Sequence, residues 1–194
     1  TIGYLSWVGL AYGFKWVWAP LVDRMPIPVL TRLLGRRRSW LLLAQLVVVA
    51  GLVGMAMADP RLTLGSIVWC ALAVAFGAAT QDIALDAFRI ESADANHQAA
   101  LAASYQTGYR LAMIWAGAGV LWIAARSEVA PAVGQAIAQG AAAYQNGAWQ
   151  AAYLAMAASM VVGVVTVLFS REPAPVALPP AKNAAEWIQG ALVA

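Results

Sequence analysis

Charged residues are scarce in this sequence. They make up 11% of its 194 residues, whereas a typical globular domain has about 25%, and hydrophobic residues make up 62%. This composition excludes an ordinary soluble domain. The single cysteine, Cys70, has no partner for a disulfide, and the single histidine, His97, has no cysteine or second histidine at a metal-ligand spacing. The sequence therefore excludes a disulfide framework and the usual zinc sites, and we predict no metal and no cofactor.

Long apolar runs dominate what remains. A membrane-spanning helix needs about 20 mostly apolar residues, and five runs of that length can be marked. They cover roughly residues 2–22, 40–58, 64–88, 99–125 and 149–170. A backbone in lipid must satisfy its own hydrogen bonds, so we expect these runs to be helices. The sequence predicts an all-α transmembrane bundle with about five spans.

The basic residues are unevenly distributed between the two sides of this bundle. If the first span runs inward, eight cations lie on the cytoplasmic side: Arg24, Arg32, Arg36, Arg37, Arg38, Arg89, Arg171 and Lys182. Only Arg61 and Arg126 lie outside. This positive-inside pattern predicts a periplasmic N-terminus and a cytoplasmic C-terminus. It also explains the net charge of +3 without a nucleic-acid partner.

The two ends of the sequence suggest a piece of a longer protein. The first residue is Thr1, which stands directly on an apolar run, and the sequence after residue 172 is rich in proline. We expect residues 173–194 to form a cytoplasmic linker, in which positions 182–194 can form a short surface helix. Residues 127–147 form an outer loop to which we assign no chemistry.

Four ionisable residues lie inside the apolar runs, where they are costly and usually face a cavity or a partner. They are Lys15, Asp82, Asp86 and Arg110. Helix geometry places Lys15, Asp82 and Arg110 about 12–16 Å from the cytoplasmic ends of their spans. The side chains of Gln81, Tyr105, Gln106 and Tyr109 can supply hydrogen bonds at this depth.

This polar set has two interpretations. In one, Asp82 or Asp86 carries the coupling proton, and Arg110 or Lys15 binds an anionic group of a substrate. In the other, the charges form a permanent salt bridge that fixes helix packing.

A second charged set joins the first two spans on the cytoplasmic side. Asp23 and Arg24 are followed by Arg36 and Arg37, and bonds between them can latch neighbouring helices in one state of a two-state transporter. The arginine run also has a simpler interpretation, as an orientation signal that contacts anionic lipid.

Several motifs resemble one family. They are Trp18-Ala19-Pro20-Leu21-Val22-Asp23-Arg24, Gly35-Arg36-Arg37-Arg38, Gln81-Asp82-Ile83 with Asp86-Ala87, and Gly108-Tyr109-Arg110-Leu111. Together they resemble AmpG-type muropeptide permeases over residues 1 to about 173. The Asp-Arg and Gly-Arg-Arg-Arg elements also look like the loop between helices two and three of the major facilitator superfamily.

The resemblance implies a fold and a function. It implies a bundle of twelve or more helices in two homologous halves that rock around a central site, and residues 1–172 would be helices two to six. Such permeases import anhydro-muropeptides across the bacterial inner membrane, driven by protons, for cell-wall recycling. Carried over by position, Gln81 and Asp82 would be the central polar residues of helix four, Asp86 its second carboxylate and Arg110 the charge of helix five. The implied partners are membrane lipid, a proton, a glycopeptide, the first helix and the C-terminal half.

Other functions remain open. A facilitator for another solute, such as acetyl-CoA or a drug-like anion, would keep the same fold. A non-transporting receptor would also retain the packing features. A membrane-embedded transferase is disfavoured because its catalytic groups would lie at the membrane surface, whereas the carboxylates here lie deep. We therefore predict a transporter and not an enzyme.

Overall fold

The computed structural model describes residues 9–10, 12–59, 62–127 and 146–174, and these contain helices and no strand. The α-helices are α1 (Lys15–Arg24), α2 (Leu30–Leu34), α3 (Arg36–Met57), α4 (Leu64–Ser92), α5 (Gln98–Ile114), α6 (Val120–Ser127) and α7 (Asn146–Phe169). A 3-10 turn precedes α5, and a π-helical turn, Trp115–Gly119, joins α5 to α6.

Four helices in the described ranges are long and apolar enough to cross a membrane. They are Arg36–Met57, Leu64–Ser92, Ala95–Ser127 and Gly147–Phe169. Each coincides with a predicted span to within a few residues, so the prediction of an all-α, multi-pass membrane protein is confirmed. The first predicted span begins in residues 1–8, which lie outside the described part of the chain. So do most of the predicted outer loop and nearly all of the predicted linker and tail.

Small residues bring α3 and α4 into close contact. A Cβ atom added at Gly51 would lie 2.6 Å from Cγ2 of Val74 and 3.0 Å from the carbonyl oxygen of Cys70. One added at Gly77 would lie 3.1 Å from the carbonyl oxygen of Ala44. Such approach lets backbones pack where the surrounding lipid is as apolar as the side chains.

Helix α7 packs on another side of α3. Gln45 of α3 is 3% exposed, and its Nε2 atom lies 2.9 Å from the point where a Cβ of Gly163 would stand. Buried side chains from four helices then meet in one apolar cluster: Val22, Leu41, Ala84 and Val167. This cluster joins α1, α3, α4 and α7.

The arginine run does not lie in a loop. Helix α3 begins at Arg36, so all three arginines are in its first turn. The short helix α2 fills the linker before it, and Gly35 joins the two with a φ of +90°, which only glycine adopts readily.

Candidate functional site

Arg37 is at the centre of a charged cluster where α1, α3 and α4 meet. It is 5% exposed. Its Nη1 donates to Oδ1 of Asp23 at 2.5 Å, while Nη2 and Nε donate to the two carboxylate oxygens of Glu91 at 2.5 and 3.0 Å. The bond to Glu91 is bidentate, the geometry in which arginine binds a carboxylate most strongly. A buried guanidinium needs such partners, so Arg37 ties three helices together.

The predicted latch residues occupy different places around this cluster. Asp23 and Arg37 are joined directly, as stated above. The ion pair of Arg36 is weaker, because its Nη2 lies 3.9 Å from Oε1 of Glu91. Arg24 is the last residue of α1.

A second set of bonds, here called the reciprocal cap, joins α3 to the end of α7. The backbone N–H groups of Arg37 and Arg38 donate to the carboxylate of Glu172 at 2.7 and 3.1 Å. In return, Nε and Nη2 of Arg38 donate to the carbonyl oxygens of Val167 and Leu168 at 2.8 and 2.5 Å. Each helix end thus satisfies backbone groups that the other helix leaves unpaired, with the charge sign its dipole favours.

Gly35 makes room for the reciprocal cap. A Cβ atom at this position would lie 2.3 Å from Cδ of Glu172, well inside contact distance. The carboxylate of Glu172 therefore occupies the space that any other residue at position 35 would fill. An open cavity of about 530 Å³ borders the same carboxylate and that of Glu91.

The predicted central residues lie on the other side of α4. Asp82, Asp86 and Arg89 share one face of this helix, here called the α4 stripe, because they are separated by four and three residues. Oδ1 of Asp86 lies 3.4 Å from Nη2 of Arg89. The guanidinium of Arg89 lies 5.2 Å from the ring centroid of Tyr105 on α5. Lys15 of α1 forms no ion pair of 4.0 Å or less with Asp82 among the described residues, and the two charges interact at longer range.

Arg110 and Gln81 are less engaged. The side chain of Arg110 is exposed, and in the described ranges no ion pair of 4.0 Å or less joins it to Asp82 or Asp86. Gln81 is partly buried on α4 beside Asp82. The cation that the structure places next to Asp86 is Arg89.

Helix α4 carries both charged sets on opposite faces. Glu91 follows Asp82 by nine residues, and at about 100° per residue this turns it to the far side of the helix. One face therefore contacts Arg37 and the other presents the α4 stripe. Any rotation of α4 about its axis would move both.

Sequence reasoning missed four residues of these sets: Arg38, Arg89, Glu91 and Glu172. The spacing of Asp86 and Arg89 did carry a signal, since residues three apart meet on a helix. Glu172 and Arg38 are 134 positions apart, and no local pattern indicates that they pair. Among the described residues, no cluster of three or more histidine, cysteine, aspartate or glutamate side chains is suited to a metal.

Comparison with known proteins supports the family resemblance. No family model matches the chain. It is 34% identical to the "Anhydromuropeptide permease" of Escherichia coli K12 over 173 residues, which are 89% of this chain and 30% of that protein. It is 40% identical to the "Putative transporter AmpG 4" of Rickettsia felis over 115 residues, 59% of this chain and 28% of that protein.

A third relative is a Haemophilus influenzae protein of unassigned function, 35% identical over 174 residues, 89% of this chain and 35% of that protein. The chain spans about a third of the length of these curated relatives. The resemblance predicted from the motifs is therefore confirmed, and this chain is a relative of the AmpG-type permeases.

Proposed function

We propose that this chain is part of a proton-coupled secondary transporter that imports anhydro-muropeptides across the bacterial inner membrane for cell-wall recycling. The observation that carries the proposal is its 34% identity to the Escherichia coli anhydromuropeptide permease over 89% of the chain. A transporter role also fits a bundle with four candidate spans and several ionisable groups inside them.

The α4 stripe supplies the proton-binding group in this proposal. Asp82 lies within a candidate span and interacts with Lys15 of α1. A nearby cation favours the ionised carboxylate, and its withdrawal into an apolar setting favours the protonated form. Movement of α1 relative to α4 would then load and unload one proton. Gln81, Tyr105 and Arg110 complete the substrate face by their depth in the bundle.

The Arg37 cluster supplies the latch. Its bonds join side chains of α1, α3 and α4, so they can break and re-form as helices rock about a central site. In the proposed topology residues 1–172 are helices two to six of a major facilitator fold, and residues 173–194 begin the linker to its second half. The N-terminus of this segment is periplasmic, and the Arg37 cluster faces the cytoplasm.

Uptake measurements test this function. Cells that lack their own permease are given the complete gene that includes this chain and are supplied with labelled anhydro-muropeptide. We expect uptake that is abolished by a proton uncoupler and by Asp82→Asn. The matched control is Asp94→Asn, which neutralises an exposed carboxylate outside α4 and should leave uptake unchanged.

Two results would overturn parts of the proposal. Absence of uptake despite normal membrane expression would rule out this substrate and direct the search to another anionic solute. Uptake that persists with the uncoupler would rule out proton coupling.

A further inference from the structure

We propose that Arg89 is a positioning residue that transmits the charge state of Asp86 on α4 to α5. This inference rests on the proposed transport function and adds to it a residue that the sequence placed only among the orienting cations. The contact of Arg89 with both Asp86 and Tyr105 carries the argument.

Arg89 lies between the two helices and contacts a residue on each. One terminal nitrogen, Nη2, lies 3.4 Å from the carboxylate of Asp86, and the guanidinium carbon lies 5.2 Å from the Tyr105 ring centroid. Its Nε atom is buried and finds no acceptor among the described residues. The side chain of Arg89 is 26% exposed and that of Asp86 is 44% exposed, and Asp86 supplies the one ion pair that the described residues give this cation.

Few other contacts between described residues hold α5 in place. None of its residues from Gln98 to Ile114 is buried. Near the turn, Nε2 of Gln98 donates to the carbonyl oxygens of Ile90 and Ala93 at 3.0 and 2.7 Å. Farther along α5, the ring of Tyr105 contacts the guanidinium of Arg89 from α4. The position of α5 should therefore depend on whether Arg89 stays over this ring.

Neutralising Asp86 removes the ion pair and leaves a cation with an unsatisfied Nε against a ring. A guanidinium in that position is driven toward water or another acceptor, because burial without a partner is costly. Arg89 then leaves Tyr105, and α5 is released from α4. Charge on one helix is thus converted into movement of the next, without Arg89 touching the substrate.

Transport kinetics separate this role from substrate binding. We expect Arg89→Gln to lower the maximal uptake rate about tenfold, toward the lower end of the range of about 5–150-fold for coupling between sites, and to leave the half-saturation concentration unchanged. Arg89→Lys should restore most of the rate. Adding Asp86→Asn to Arg89→Gln should cause no further loss, because both variants break the same link. Tyr105→Leu, which removes the ring that Arg89 contacts, should lower the maximal rate as Arg89→Gln does.

A matched control exists on the continuous helical segment Ala95–Ser127, which also contains Tyr105. Arg126 lies over the ring of Trp122 at 4.3 Å, a similar cation–ring contact. Arg126→Gln should leave the kinetics unchanged. A raised half-saturation concentration for Arg89→Gln would instead make Arg89 a substrate contact and overturn the proposal. Additive effects of Asp86→Asn and Arg89→Gln would do the same.

A distance measurement tests the link even if the transported solute is different. Spin labels are attached to cysteines introduced at Ile90 and Leu111, both exposed, in a Cys70→Ala background. We expect Asp86→Asn and Arg89→Gln each to broaden the distribution of distances between the labels, and Arg126→Gln to leave it unchanged. An unaltered distribution in the first two variants would refute the inference independently of uptake.

Discussion

The two carboxylates on Arg37 differ in how well water can replace their partner. The side chain of Glu91 is 12% exposed, whereas that of Asp23 is 33% exposed. Loss of Arg37 should therefore cost more free energy at Glu91 than at Asp23, because water cannot easily hydrate the Glu91 carboxylate. This asymmetry makes the cluster a set of unequal bonds, in which the α3 to α4 link is the firmer one.

Substitution of Arg37 tests the cost of that arrangement. Arg37→Gln leaves two carboxylates without their cation, and removal of one partner of a buried ion pair costs about 3–5 kcal/mol. We expect a clear drop in the midpoint of thermal unfolding in detergent. The matched control, Arg32→Gln, removes an exposed arginine and should leave the midpoint nearly unchanged. Equal midpoints for the two variants would contradict the role of Arg37.

Gly35 offers a sharper test at the level of a single atom. Gly35→Ala combines a φ of +90° with a Cβ placed 2.3 Å from Cδ of Glu172. Backbone strain of this kind costs about 1–3 kcal/mol, and displacement of Glu172 adds to it. The variant should unfold at a lower temperature. Gly65→Ala, whose Cβ would meet nothing within 4 Å, should not share this loss.

Among the secondary-structure elements, α3 depends on a residue far away in the chain. Glu172→Gln keeps the size of the side chain but removes the charge that accepts two N–H groups at the start of α3. Capping and dipole interactions of this type contribute about 1 kcal/mol. The amides of Arg37 and Arg38 should then exchange hydrogen faster with solvent. Arg171→Gln, at the neighbouring position, serves as the control, and similar exchange rates in both variants would argue against the cap.

The sequence was sufficient to predict α3, α4 and α7, because the length of an apolar run is set by the thickness of the bilayer. It was less informative about where α3 begins. Three arginines can lie in a loop or in a first helical turn. The backbone N–H groups of a first turn have no partner within the helix, so the local sequence does not favour one over the other. The distant carboxylate of Glu172 decides between them, and that contact depends on how α3 packs against α7.

The same reasoning explains the outcome at the candidate site. Cost in lipid singled out Asp82, Asp86 and Lys15 from the sequence. It did not identify Arg89 as the neighbour of Asp86, because a cation near a helix end was assigned to membrane orientation. Glu91 was overlooked because it lies beyond residue 88, the predicted end of its span, although its partner Arg37 was predicted.

At the scale of the whole molecule, the bundle has two ends that cysteine labelling can distinguish. A Cys70→Ala background leaves no native cysteine. We expect a cysteine at Arg32 to react only with reagents that enter the cytoplasm, and one at Leu62 to react from outside. Both positions are exposed, so reactivity reports the side and not burial. The opposite pattern would reverse the proposed orientation.

The reciprocal cap also sets an order of events during synthesis. Glu172, which accepts a hydrogen bond from the backbone N–H of Arg37, lies 135 residues farther along the chain. At about 5–20 residues per second, roughly 7–27 seconds pass between translation of the two positions. Until then the ribosome has delivered α3 to the membrane with its first turn open, and Arg38 has no carbonyl groups of α7 to bind. The final closure of this end of the bundle is therefore timed by the emergence of α7.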